Sequence, residues 1–254
     1  MEASEAALSS SFSSLQPDRF IFEEERMQPE NACVLSDSSN EATPVEAPND
    51  PQTARLNVLL AVTGSVAAIK IPEIIEELHA EGRKRSTCVD LKLIATKDAC
   101  HFLKSFPLNV IRDEDDWRSW NQKGDPVLHI ELRRWADVLA IAPLSANSLA
   151  KISQGLCDSL LTCVARAWDF KKPFVVFPAM NALMWKHPLS AQQLDLLRSF
   201  GVKVVEPVEK TLACGDTGPG ALPPPQCVAA EIFLAAFAAY APDAGESEAQ
   251  HRRV

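Results

Sequence analysis

Leu56-Asn57-Val58-Leu59-Leu60-Ala61-Val62-Thr63-Gly64-Ser65 is the stretch that decides how the chain is read. A seven-residue run broken only by Asn57 is what a parallel strand covered on both faces needs, since a strand with one wet face alternates. The run ends in a Thr-Gly-Ser turn, and a helical pattern follows from Val66 to about Ala80. A strand that passes into a helix through small residues is the first half of a strand–helix–strand unit.

The alternation continues downstream. Residues 89–95 predict a strand and 97–104 a helix, while the acidic stretch 113–126, with Trp117 and Trp120, reads as a long surface loop. A short helix over 130–136 leads into a strand over 137–142, and helices fill 145–168. Pro173-Phe174-Val175-Val176-Phe177 is another short buried strand, followed by a helix over 190–200 and a strand over 202–205. Strands alternating with helices predict an α/β fold, a doubly wound parallel sheet with right-handed crossovers. After Glu206 the pattern breaks. Residues 207–226 hold Gly215, Gly218, Gly220 and four prolines after Gly218, and read as a mobile flap. A helix over 228–240 closes a single domain spanning 56–240, with tails over 1–55 and 241–254.

Charge separates the tail from the domain. Of the net charge of −9, residues 1–55 carry −8, from eleven Asp and Glu against three Arg. Rich in Ser, Glu, Pro and Asn and poor in aromatics, this tail is expected to be disordered. The remainder is nearly neutral and lacks the basic surface of a nucleic-acid binder. No apolar run approaches the roughly 20 residues of a membrane span, so no membrane partner is expected. The N-terminus lacks a signal-peptide core, and its acidity argues against an organellar transit peptide, which leaves a cytoplasmic protein as the expectation. The seven cysteines form no close pair with zinc-ligand spacing, no metal site is expected, and most should be buried thiols.

Ligands of α/β folds bind beyond the carboxyl ends of the strands, and there the sequence offers hydroxyls and amides. Thr63-Gly64-Ser65 is suited to an anion at a helix start and equally to a plain turn. Neither GxGxxG nor a P-loop pattern is present. Thr96 follows the second strand, and Ser145-Ala146-Asn147-Ser148 follows the strand over 137–142; the serines serve as ligands or as helix caps. Pro178-Ala179-Met180-Asn181-Ala182-Leu183-Met184-Trp185 sets an amide among methionines, either meeting a ligand or closing a loop over the core. His129 is the histidine with most support for proton transfer, although most lone histidines do no such work. Cys214, in the glycine-rich segment, would be an accessible thiol with a proton-donor or redox role open to it.

Together these stretches resemble the flavin-dependent cysteine decarboxylase family from about Leu56 to about Phe237. The matching residues are Gly64-Ser65-Val66-Ala67-Ala68-Ile69-Lys70, His129-Ile130-Glu131-Leu132-Arg133-Arg134-Trp135-Ala136-Asp137, Ala142-Pro143-Leu144-Ser145-Ala146-Asn147, Pro178-Ala179-Met180-Asn181 with Met184-Trp185, and Ala213-Cys214-Gly215-Asp216. The resemblance implies a flavodoxin-like fold and a homotrimer with FMN at subunit contacts. It implies FMN binding by Gly64, Ser65, Val66, Thr96, Ser145, Ala146, Asn147, Ser148 and Ala179. It makes His129 the active-site base or orienting residue, Asn181 and Met184 substrate contacts, and Cys214 the returning proton donor.

Relatives acting on peptides lack the Cys214 element. Its presence therefore implies the branch that decarboxylates phosphopantothenoylcysteine to 4′-phosphopantetheine in coenzyme A biosynthesis. In that chemistry the thiol end of the substrate is oxidised to a thioaldehyde, which stabilises the carbanion as carbon dioxide leaves. The chain departs from the family at Gly218-Pro219-Gly220-Ala221-Leu222, followed by three prolines, where a Gly-Asn-Gly-Ala-Met run is usual. A second reading starts from fungal relatives of similar fold that act as inhibitory subunits of a type-one protein phosphatase through acidic or extended tails. The segment 1–55 allows it.

Overall fold

The structure, a computed structural model, describes residues 54–118, 120–211 and 215–238. The tails expected over 1–55 and 241–254 lie outside these residues, except that Ala54 and Arg55 already belong to the first strand.

The sheet is built around β1 (Ala54–Val62). On one side lie β2 (Thr87–Ala95) and the two-residue β3 (Val110–Ile111); on the other lie β4 (Val138–Leu144), β5 (Phe174–Pro178) and β6 (Lys203–Val204). Every neighbouring pair is parallel. Without the short edge strand β3, the order of the remaining five counts 2-1-3-4-5 in sequence, which is the flavodoxin-like arrangement.

The unbroken apolar runs are explained by what covers the sheet. Val58, Leu60 and Val62 face a core shared with α1 (Ile71–Lys84) and α9 (Pro225–Ala238). Leu59 and Ala61 face a second core, formed with α4 (Leu128–Trp135), α5 (Ala146–Ser153), α6 (Leu160–Arg166) and α8 (Pro188–Ser199). Both faces are dry, so alternation has no role.

Four local readings are corrected. The helix expected from Val66 opens as a 3-10 turn over Val66–Lys70, and α1 begins at Ile71. Pro72 has no N–H for an intrahelical bond and is accommodated in the first turn of a new helix. The expected loop over 113–126 begins as α3 (Asp113–Arg118). Its four acidic residues lie in the first turn, at the positive end of the helix dipole, where acid favours a helix. Residues after Asn181 are not a loop but α7 (Ala182–Lys186), with the Asn181 side chain accepting from the Leu183 N–H at 2.8 Å as its cap. The glycine-rich flap is an antiparallel hairpin of β7 (Val208–Thr211) and β8 (Thr217–Ala221).

The cysteines also differ from expectation. Cys88, Cys157 and Cys227 are exposed, Cys100 and Cys163 are half-buried, and all five are free thiols. Among the described residues, no helix is long and apolar enough to cross a membrane, and no three His, Cys, Asp or Glu side chains are grouped to hold a metal.

Candidate active site

Three strands hand over to helices at the same edge of the sheet, and each handover is capped by a hydroxyl. Ser65 accepts from the Ala67 N–H, Thr96 from Ala99 and Ser145 from Ser148. Hydroxyl oxygens at these positions satisfy backbone donors that the first helical turn leaves unpaired. The first and third handovers are joined. Thr63, fully buried, donates its hydroxyl to the Pro143 carbonyl at 2.8 Å and accepts from the Ser145 N–H at 2.7 Å. That junction lies between β1 and β4, where the strand order reverses and a crevice opens.

A cavity of about 500 Å³ occupies the crevice. Gly64, Ser65 and Val66 line it from β1, Ser145, Ala146 and Asn147 from β4, and Ala179, Asn181 and Met184 from β5. Its roof is the hairpin, through Lys210, Thr211, Gly220, Ala221 and Leu222. The roof is held close. The Met180 N–H donates to the Gly220 carbonyl at 2.9 Å, and Asn181 Nδ2 donates to Asp216 Oδ2 at 2.6 Å. A side chain at Gly220 would put its Cβ 2.2 Å from the Met180 carbonyl oxygen.

Most of the sequence-selected residues meet here. Thr96 and Ser148 do not line the cavity, because their hydroxyls are used inside the fold: Thr96 caps α2 (Lys97–Leu103), and Ser148 is buried against Ser145. Cys214 lies outside the described residues. His129, near the start of α4, is not part of the cavity wall of its own chain. Its Nδ1 is 3.2 Å from Asp116 Oδ2 on α3. The far end of α4 is fastened by Lys172, whose Nζ donates to the carbonyls of Arg133, Arg134 and Ala136.

Sequence reasoning missed Lys70, Asp98 and Phe102 in the wall and Lys210 in the roof. Lys210 had only a faint signal, two β-branched residues within Val208-Glu209-Lys210-Thr211 that do not alternate, and the neighbouring glycines and prolines outweighed it. Asp98 had none. It is placed by the close approach of α2 to the first turn, where a Cβ on Gly64 would sit 2.6 Å from the Asp98 Cβ.

The donor set suits one class of ligand. Hydroxyls, an amide and free N–H groups at the start of α5 favour an anionic group. Val66, Ile69, Phe102, Ala179 and Leu222 offer apolar surface to a flat ring system, and Lys70 and Lys210 bring positive charge. The volume falls within the roughly 300–1,000 Å³ usual for cofactor and small-molecule sites. With Asp98 the one carboxylate among the described lining residues, a multidentate metal site is a poor match.

The sequence matches the Flavoprotein family over residues 46–235. A probable phosphopantothenoylcysteine decarboxylase of Arabidopsis thaliana is 49% identical over 189 residues, covering 73% of this chain and 90% of the relative. The phosphopantothenoylcysteine decarboxylase of Mus musculus is 43% identical over 192 residues, covering 74% and 90%. Among solved structures, a cysteine-to-serine variant of a PPC decarboxylase complexed with pantothenoylaminoethenethiol superposes with a TM-score of 0.66 at 47% identity, covering 71% of this chain and 97% of that one. The FMN binding protein AtHal3 gives a TM-score of 0.63 at 49% identity, with coverages of 70% and 95%.

Proposed function

This chain belongs to the Flavoprotein family, and on that premise we propose that it decarboxylates phosphopantothenoylcysteine to 4′-phosphopantetheine, feeding coenzyme A biosynthesis. It is a decarboxylase, and its cofactor is FMN. The observation that carries the substrate reading is the cavity, with an anion-compatible floor at the strand ends and Asn181 and Met184 beneath a separate roof.

When bound, FMN supplies a reversible store for two electrons, without which an unactivated carboxylate cannot leave. The chain supplies the rest. Gly64, Ser65, Val66, Ser145, Ala146, Asn147 and Ala179 hold the cofactor by backbone N–H groups, hydroxyls and a small apolar floor. Thr96 and Ser148 act one step back, by fixing the helix starts. Asn181, whose Nδ2 donates to a carboxylate oxygen of Asp216, is the donor we assign to the substrate carboxylate, with Met184 packing beside it. Cys214 is the proton donor that completes the product.

His129 serves as base or orienting group; it does not line the cavity of its own chain, so we assign it to the cavity of a second copy. The cavity margin supports contact with further copies, and the family resemblance makes that assembly a homotrimer. Val66, Ile69, Leu183 and Met184 are all exposed by about half or more, an apolar rim that a neighbouring copy would cover. The phosphatase-subunit reading has its expected determinant in the acidic tail, and no described residue carries it.

The purified protein should be yellow, with the absorption bands of oxidised flavin, and should release carbon dioxide from phosphopantothenoylcysteine. A flavin-loaded protein that leaves this substrate intact would refute the substrate assignment.

A further inference from the structure

We infer that Asp116 is a positioning residue for His129, holding the imidazole with its proton on Nδ1 so that Nε2 is the nitrogen turned to the reaction. The inference rests on the proposed role of His129 in decarboxylation.

His129 Nδ1 lies 3.2 Å from Asp116 Oδ2 and 3.4 Å from Oδ1. Both side chains are mostly buried, 26% exposed for His129 and 15% for Asp116. An ionised carboxylate only accepts hydrogen bonds, so the ring nitrogen facing it must carry a proton. In a neutral imidazole the other nitrogen is then left with its lone pair; in the cation it becomes a second donor. Either way one ring orientation and one reacting atom are selected.

The helix that carries the carboxylate is itself tied down. Asp113, one turn earlier on α3, accepts from the Leu160 N–H at 2.8 Å and ties α3 to the start of α6. Neighbouring acids are engaged elsewhere or turned outward. Asp115 accepts from the Arg112 N–H and pairs with Arg118, Glu131 pairs with Arg134, and Glu114 is exposed. Cys163 on α6 feels the Asp116 charge, but burial above all pushes its thiol up to about 11, so it stays neutral beside the pair. The carboxylate on the imidazole is therefore Asp116 and not an interchangeable member of an acidic cluster.

A mere clip between α3 and α4 would affect stability alone, whereas a positioning residue governs the tautomer. The holoenzyme, with ¹⁵N-labelled histidine, should show by NMR a proton on Nδ1 of His129. Asp116→Asn, whose amide accommodates either tautomer, should lose that preference. Its kcat should fall roughly 10- to 100-fold, part of the 10²–10⁴ that a positioned acid–base group contributes. KM and FMN content should change little, and Asp116→Glu should recover part of the loss. A bare Nδ1 in the wild type overturns the inference even if the Asn variant fails to fold. So does wild-type kcat in Asp116→Asn while His129→Gln is inactive, a result that leaves the role of His129 standing. Normal turnover by His129→Gln removes both.

Discussion

Thr63 and Ser145, 82 residues apart in sequence, are joined by a 2.7 Å hydrogen bond from the Ser145 N–H to the Thr63 hydroxyl oxygen. The same hydroxyl donates to the Pro143 carbonyl, so one buried side chain fixes the spacing of the two strand ends that flank the cavity. Thr63→Val keeps the shape and removes both bonds, leaving the Ser145 N–H without its acceptor. Urea unfolding of the apoprotein should show a loss of about 1 to 3 kcal/mol, with weaker FMN binding. Unchanged stability and unchanged FMN affinity would mean that the junction is dispensable.

Gly220 brings the roof against the floor. Its φ of +135° and the 2.2 Å approach of an added Cβ to the Met180 carbonyl leave no room for alanine. Gly220→Ala should strain or lift the hairpin at a cost of about 1 to 3 kcal/mol, or roughly 5- to 150-fold in apparent substrate affinity if all of it falls on binding. The strand-end contacts remain, so KM should rise while FMN stays bound. Loss of FMN with an unchanged KM would reverse this division.

Asp113 gives a pH dependence. Burial pushes its carboxyl above the ordinary carboxylate range, against the opposing pull of the Leu160 N–H. A folded-state pKa raised above the unfolded one favours the native state at low pH, and that benefit is lost as pH rises through the folded value. Asp113→Asn keeps an acceptor for Leu160 and removes the charge. Its stability relative to wild type should therefore improve from pH 4 toward neutrality. A difference that is flat with pH, measured by urea unfolding, would show that this carboxyl is not coupled to folding.

Cys163 should resist alkylation. With its thiol pushed up to about 11 by burial, it carries almost no thiolate at mildly alkaline pH. Iodoacetamide should modify the exposed Cys88 and Cys227 well before Cys163, and urea should abolish the difference, both read by mass spectrometry of peptides. Equal rates in the native protein would contradict the burial.

The sheet was legible because the residues that form it have no other use. Leu59 and Leu60 are adjacent in sequence yet face opposite cores, and only a doubly covered strand accommodates both. Helix starts were legible for a similar reason, since Ser65, Thr96 and Ser145 each stand where a strand gives way to a helix and each caps one. What composition hid was structure that depends on charge or on partners. The acids of α3 suggested a loop, although they stabilise the helix they begin. The glycines of β8 suggested mobility, although the strand is set by pairing with β7 and by contact with Met180. Nor could spacing alone separate Thr96 and Ser148 from the true lining residues, because a hydroxyl that caps a helix and one that meets a ligand look alike in sequence.

The hairpin belongs to a two-stranded sheet of its own and shares no ladder with the six parallel strands. Floor and roof can therefore diverge on separate schedules. Substitutions in the β7–β8 ribbon can retune which molecule is admitted while the seat for the resident cofactor is inherited unaltered.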